Sequence, residues 1–403
     1  MRTPDEAVAE ILGRVRPLGT TEETPLALAS GRVLARDVTS DVDLPPFEKS
    51  AMDGFAVRSA DFAGRSGPVR LRRIGEARAG APFRGTIRTG ECAEIATGSE
   101  IPAGADAVVM VEKSRAEGQE IVLDDDPKPG QHVCRKGEDL RAGEVVLESG
   151  RRLGPVEIAV LAAVGCEPVP VRSRPRLALF ATGDELVPPG AKLGRGEIRE
   201  GNSLYLEARA RACGADVSRL GVAPDEERAL EAAFRTALDS SDAVMTTGGV
   251  SMGRYDLVGG VLERAGVEPV LHKVAIKPGK PVWFGMRGRV PVFGLPGNPV
   301  SCLVGFEVFV RPALARLEGA PEEEIAPRLR RGRWSGPPTR ENPREQHLPV
   351  EIRPGEDGVD RLAPIAWRSS ADIVGLTRAD GLAVVAIGRV LAEGDLVLYR
   401  PLR

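Results

Sequence analysis

Between about residues 175 and 320, short apolar, β-branched runs alternate with longer segments of helical periodicity. "RLALFAT", "ADVSRLGVA", "DAVMTT", "VEPVLHKVAI" and "VPVFGLP" read as strands; "SLYLEARARACG", "DEERALEAAFRTAL", "LVGGVLERAG" and "VSCLVGFEVFVRPALARLEG" read as helices. Strands that are apolar on both faces need cover on both sides. The alternation therefore restricts this segment to a mostly parallel α/β sheet between two helical layers. In such open sheets ligands sit beyond the carboxyl ends of the strands, so the loops leaving those ends are where chemistry is to be sought.

The rest of the chain has another texture. Its 403 residues call for roughly two to four domains. Asp5 to Val15 carries an amphipathic helical pattern and Leu26 to Leu34 a second, shorter one. From about 66 to 150, short apolar runs are broken by Gly and Pro, as in "AEIATGSEIPAGADAVVMVE" and "RAGEVVLESG", which predicts a small β domain. "LGPVEIAVLAAVG" predicts one helix. Beyond about 325, "HLPVEI", "GLAVVAIG" and "DLVLYR" read as strands of a second β module, reached through a charged linker, "PEEEIAPRLRRGRW".

Several function classes drop out. A formal net charge of -3 with 4% aromatic residues offers neither a basic face nor stacking platforms for nucleic acid. The start "MRTPDEAVAEILGRV" is acidic and periodic, and no apolar run approaches membrane-spanning length, so a cytoplasmic protein without a membrane partner is expected. Five cysteines (Cys92, Cys134, Cys166, Cys213, Cys302) form no CxxC pair, and the three histidines are far apart, which leaves zinc without support. A participating metal would be a hard cation on carboxylate oxygens, with Mg2+ the candidate.

Three strand-end loops share a style. "LALFATGDELV" places Thr182, Gly183, Asp184 and Glu185 after a strand, and "DAVMTTGGVSMGRYD" places Gly248, Gly249, Ser251 and Asp256 after another. "VPVFGLPGNPVSCL" ends a third in a Pro-Gly turn with Gly297, then offers Asn298 as N-cap and Pro299 at the first helical position; free amides there would favour an anion. Each loop alone reads as an ordinary turn. Neither GxGxxG nor GxxxxGK[ST] is present, because Pro281 follows Lys280, and Ser301 has no GxSxG context. Asp225 follows the strand "SRLGVA" at a helix start, where dipole complement and function are equally good readings.

"HKVAIKPGKP" adds Lys273, Lys277 and Lys280. Read as one strand, it puts Lys273 and Lys277 on a face with Ala275 while Val274 and Ile276 face the core, and the Pro-Gly turn swings Lys280 back. On the decapeptide alone, solvated surface lysines are the simpler reading. Lysines for an oxyanion plus carboxylates for a divalent ion describe transfer at a phosphate or similar anhydride.

With "PPFEKSAMDGFAVR", "EIATGSEIPAGADAVVMVE", "GEDL", "ATGDEL", "TTGGVSMGRYD", "KVAIKPGKP" and "GLPGNPVS" in this order, the chain resembles the molybdopterin molybdenumtransferases, whose animal relative forms the C-terminal part of gephyrin. The resemblance implies an elongated multidomain α/β plus β chain: an extended dimerisation domain (1-45 and 147-175), an inserted β domain (46-146), a molybdopterin-binding three-layer α/β domain (176-325) and a C-terminal β barrel (326-403). It implies a homodimer, molybdopterin adenylyltransferase as upstream partner, Mg2+, and conversion of adenylyl-molybdopterin and molybdate to molybdenum cofactor and AMP. Asp53, Thr97, Asp139, Glu185, Asp225, Asp256, Lys273 and Lys277 match its active-site positions, with Asp225 and Asp256 as metal ligands and Asp53 and Asp139 reaching the pocket from the partner subunit. Thr182, Gly183, Asp184, Asn202, Gly248, Gly249, Ser251, Lys280, Pro281, Gly297, Asn298, Pro299 and Ser301 match substrate-binding positions, and Arg344 is an anion contact from the barrel. Asp53 and Thr97 also suit plain turns before glycine. The chain departs from the family at Cys134, where arginine is common, and at Gly375, where serine is common. Because gephyrin uses this fold to bind receptor peptides, a non-catalytic scaffold is the alternative function. A related hydrolase of other adenylates is a third.

Overall fold

The computed structural model describes residues 1–249, 257–326 and 329–402. The alternating segment folds into six strands: β1 (Arg176–Thr182), β2 (Asp216–Ala223), β3 (Ala243–Thr247), β4 (Glu268–His272), β5 (Trp283–Arg287) and β6 (Val290–Leu295), in the order β2-β1-β3-β6-β5-β4. The first four positions in that order are parallel; β5 and β4 close the sheet antiparallel. The pleat sorts the side chains. Leu177 and Leu179 face one layer and Ala178 and Phe180 the other. Helices α1 (Pro4–Arg14) and α2 (Asn202–Ala212) cover the first face, together with α5 (Pro299–Gly305), which continues through a π turn into α6 (Arg311–Glu318). Helices α3 (Glu227–Ser240) and α4 (Val258–Arg264) cover the second. The mostly parallel, doubly covered sheet is thus the observed one. Helix α1 starts at a complete capping box, Thr3 with Glu6, and buries Ala7 and Ile11 in the first-face core.

Near the N-terminus the chain forms a second sheet from Gly54–Val57, Val69–Ala77, Glu91–Ile95, Ala107–Met110, Ser114–Glu117 and Glu120–Leu123, again with an apolar cluster on each face. Residues on either side of it pair with each other: Val38–Thr39 with Val145–Leu147, and Thr21–Thr24 with Val169–Arg172, over the helix Pro155–Ala163. The short helix expected over Leu26 to Leu34 is only a 3-10 turn, Leu26–Leu28, because Val33 and Leu34 are taken up as β-bridge partners of Arg152 and Val171.

The C-terminal strands β7 (Arg330–Trp334), β8 (Glu345–Arg353), β9 (Asp360–Pro364), β10 (Gly381–Val385) and β11 (Leu396–Pro401) close on themselves as β8-β9-β7-β11-β10-β8, a five-stranded barrel around Trp334, Val350, Leu362, Val385, Val397 and Tyr399. The segment read as a charged linker contains the helix Glu322–Ile325 and strand β7. In β7, Arg331 and Arg333 alternate with barrel-facing Gly332 and Trp334, so their charge lies outside.

Candidate active site

Strands β1, β3 and β6 are parallel neighbours, so the loops after Thr182, Thr247 and Leu295 open on one edge. They touch. Gly248 and Gly249 have φ of 89° and 60°. A Cβ at Gly248 would lie 2.4 Å from the Thr182 carbonyl oxygen, and one at Gly249 2.8 Å from Thr182 Oγ1. Only glycine tolerates both the conformation and the approach. At Gly297 a Cβ would lie 3.8 Å from the Cα of Gly248, which brings the third loop against the second. The buried Thr182 Oγ1 has no hydrogen-bond partner among the described residues.

The Pro-Gly turn after β6 is pinned from two directions. Asn202 Nδ2 donates to the Gly297 carbonyl at 2.6 Å and Tyr205 Oη to the Pro299 carbonyl at 2.8 Å. These residues are three apart on α2 and share a face, so the i, i+3 spacing was a signal for Tyr205 that the motifs did not use. Asn298 occupies the N-cap position and Pro299 the first helical one, but the Asn298 amide does not cap α5. Instead its Nδ2 donates to Ser370 Oγ at 2.9 Å, and the Val300 N–H donates to the Ser370 carbonyl at 3.0 Å. One of the amides expected to await an anion is thus held by a barrel loop. Ser301 is buried behind the turn.

On the same edge, Asp184 Oδ1 accepts a hydrogen bond from the Asp225 N–H at 3.0 Å. Burial, and then the charges of Asp184 and Glu185, hold the Asp225 carboxyl above its ordinary range. The carboxylates repel one another there. Among the described residues no three metal-ligating side chains form a ready centre. Ser251 and Asp256 lie outside the described residues.

The lysine segment is not one strand. Strand β4 ends at His272, Lys273 has φ 70°, Val274 makes a single parallel bridge with Arg2, and strand pairing resumes at Ile276–Lys277, in parallel with Glu345 and Gln346 of the barrel. The left-handed residue resets the alternation, so Ala275 is buried with Val274 and Ile276 and does not share an open face with the lysines. The turn nonetheless folds back as expected. The Val274 N–H donates to the Lys280 carbonyl at 3.0 Å, and a Cβ at Gly279 would lie 3.4 Å from the Ser301 carbonyl oxygen. Pro281 leads into β5, and Arg344 Nη1 donates to the Ile276 carbonyl at 3.4 Å. Lys277 and Lys280 are exposed and Lys273 half-buried, and none makes an ion pair among the described residues. The turn that carries them packs on α5, beside the glycine cradle.

Asp53 and Thr97 meet in the N-terminal sheet. Asp53 Oδ1 accepts from the Thr97 N–H at 2.7 Å and from Thr97 Oγ1 at 2.9 Å, bonds that hold the Asp53 carboxyl below its ordinary range. The Asp139 N–H donates to the Leu44 carbonyl at 2.9 Å, and its side chain is exposed. Among the described residues no hydrogen bond or ion pair joins these three side chains to the α/β edge.

A doubly covered sheet thus collects glycine turns, carboxylates and a lysine-bearing turn at one edge, an arrangement suited to an anionic ligand. Residues 2–165 match the family model for the MoeA N-terminal region (domain I and II), and residues 178–316 that for a probable molybdopterin binding domain. The chain is 39% identical over 320 residues to the molybdopterin molybdenumtransferase of Haemophilus influenzae, covering 79% of this chain and 78% of that protein. It is 38% identical over 322 residues to that of Bacillus subtilis, covering 78% and 75%. A crystal structure of the molybdopterin biosynthesis moea protein from Pyrococcus horikosii superposes with a TM-score of 0.84 at 33% identity, over 100% of this chain and 99% of that one. The chain belongs to the molybdopterin molybdenumtransferase family.

Proposed function

We propose that this protein carries out the molybdenum-insertion step of molybdenum cofactor biosynthesis, converting adenylyl-molybdopterin and molybdate to molybdenum cofactor and AMP. The observation that carries the reading is the convergence of the Thr182, Gly248 and Gly297 turns on one sheet edge, beside the turn bearing Lys273, Lys277 and Lys280. Breaking a phosphoanhydride asks the protein mainly for position and charge neutralisation. The glycine turns let backbone amides approach the pterin and its phosphate. The three ammonium groups gather molybdate and the adenylate phosphates at an edge that Asp184, Glu185 and Asp225 would otherwise make repulsive to anions.

The crowded carboxylates, with Asp225 pushed up by burial and its acidic neighbours, fit a hard divalent cation. Asp225, with Asp256, would hold Mg2+, which when bound neutralises phosphate charge. Asp53, Thr97 and Asp139 are assigned to the same pocket through a homodimer, each chain completing its partner's site. The division into 1-45 with 147-175, 46-146, 176-325 and 326-403, molybdopterin adenylyltransferase as the upstream donor, and a cytoplasmic setting belong to this reading. No helix among the described residues is long and apolar enough to cross a membrane.

The test is AMP release by the purified protein given adenylyl-molybdopterin and Mg2+, with and without molybdate, beside reconstitution of an apo-molybdoenzyme. Molybdate-dependent release with active cofactor is the expected result. A folded dimer that binds the pterin yet releases no AMP would instead support a scaffold. Release indifferent to molybdate, and from other adenylates, would point to a hydrolase.

A further inference from the structure

Along β8, β10 and β11 the pleat turns alternate residues outward from the barrel. The registers His347↔Val384 and Val384↔Leu398 set these residues side by side, with Glu345 and Arg400 two positions away on the same face. The outer face of a barrel normally meets water. Here it is covered by α1, through Pro4, Asp5 and Val8, and by the chain entering α6, through Val308, Arg311 and Pro312. The cover leaves a cavity of about 200 Å3. At ~30 Å3 per water, that holds several waters or one small polyatomic ion, and no nucleotide.

Its polar lining is unusual. Arg311, His347 and Arg400 are 8%, 1% and 6% exposed. Arg311 donates to the backbone carbonyls of Glu324 and Ala326. Arg400 Nε and Nη1 are buried and have no hydrogen-bond partner among the described residues. Three carboxylates act on Arg400: Glu307, which is ion-paired with Arg209 and Arg311, and the lining residues Glu345, which holds His347, and Asp5, which is exposed. His347 Nε2 lies 2.8 Å from Glu345 Oε1; a carboxylate only accepts, so Nε2 carries the proton and Nδ1 presents a lone pair. That Nδ1, too, is buried without a partner. Burial, followed by the charge of Arg311, pushes the Arg400 guanidinium down to about 10. Burial likewise lowers His347 and keeps it neutral. A buried cation left unpaired is costly, whereas pairing it with hydrogen bonds offsets that cost.

We propose that this cavity is an oxyanion site, separate from the pterin edge, selective for inorganic phosphate as its protonated form. Two donors on Arg400, a cationic Arg311 and Arg389 at the rim suit the anionic oxygens. The Nδ1 acceptor of His347 suits the remaining P–OH, which hydrogen phosphate keeps at neutral pH and sulfate and molybdate lack. A bound phosphate would join α1, α6 and the barrel through one ion.

Thermal unfolding of the full-length protein at constant ionic strength, titrated with phosphate, sulfate or molybdate against chloride, tests this. The expected result is a saturable rise with phosphate, at least tenfold weaker affinity for sulfate and molybdate, and loss of the phosphate response in Arg400→Leu. Without phosphate, Arg400→Leu is expected to unfold no lower than the wild type, since it removes an unpaired buried charge. If that variant does not fold, Arg389→Gln serves, with an expected severalfold weaker phosphate response. Equal, non-saturating rises with all three anions, unchanged in the variants, would mean general salt exclusion and overturn the proposal. Equal saturable binding of sulfate and phosphate would also overturn it, because His347 would then have no role.

Discussion

Replacing Gly248 by alanine tests the cradle most directly. The position has φ 89°, where a side chain costs roughly 1–2 kcal/mol. The added Cβ also meets the Thr182 carbonyl oxygen at 2.4 Å and Oγ1 at 3.1 Å. Neither partner yields easily: Thr182 pairs with Ala223 at the end of β1, and the Gly248 N–H donates to the Leu295 carbonyl at 3.0 Å. Overpacking of this kind costs about 1–3 kcal/mol, for a sum of about 2–5 kcal/mol. Domain stabilities are about 5–15 kcal/mol, so the variant's loss stays below the stability across all but the bottom of that range. Its α/β transition should fall by on the order of 10 °C, at about 2–4 °C per kcal/mol for a domain of this size. Because the clash pushes the Gly248 and Thr182 turns apart, molybdate-dependent AMP release should be lost at temperatures where the fold is intact. Gly259→Ala is the control: it lies in α4, no atom of the described residues outside its own helix backbone stands within 4 Å of its Cβ, and helix propensity predicts a gain of up to about 1 kcal/mol. Calorimetry beside the AMP assay reads both. A Gly248→Ala protein that unfolds within a degree of wild type and turns over normally would refute the close-approach argument.

Asp225→Asn should abolish turnover yet unfold no lower than wild type at pH 8. A carboxyl whose folded value is raised disfavours the native state at high pH and regains stability as pH falls toward its ordinary range, so the two melting curves should converge in acid; a wild-type advantage that grows with pH would contradict this, as would an equal Mg2+ response of the two proteins. Arg152→Met strands Glu318, whose side chain is 1% exposed and 2.8 Å from Arg152 Nη2, and should cost about 3–5 kcal/mol in thermal denaturation, largely recovered by adding Glu318→Gln. For Asp53, held low by the Thr97 amide, the clamp should persist down to the ordinary aspartate range and loosen only below it, because a depressed carboxyl contributes its stability above that range. Faster hydrogen exchange across 91–100 in Asp53→Asn at neutral pH would establish the clamp, and unchanged exchange would dismiss it.

What the sequence made legible was local. Each strand of the α/β sheet carries its own apolar run, and glycine turns announce themselves because a positive φ at a close approach admits little else. The contacts that pin the site have no such mark. Ser370 reaches Asn298 from 72 positions along the chain, and neither residue is unusual in its neighbourhood. Lys273 breaks the lysine strand with a left-handed conformation that a non-glycine residue does not advertise. Strand β7 was hidden among arginines because only barrel closure gives Gly332 and Trp334 an inside. Asp53 and Thr97 were matched as separate motifs; that they clasp each other needed the sheet that sets Gly54 opposite Ile95.

The ten residues from His272 to Pro281 are woven into two architectures at once: they finish the edge of one sheet and lend a short strand to the other. A cut near residue 326 would therefore leave the closed ring of five strands but strip β8 of the hydrogen bonds it makes with chain some seventy positions earlier. The same weave makes the spacing between Lys273 and Lys277 a gauge of how the two bodies stand. One ammonium travels with the sheet and the other with the barrel, so any swing of the barrel would spread or gather the charge at the site.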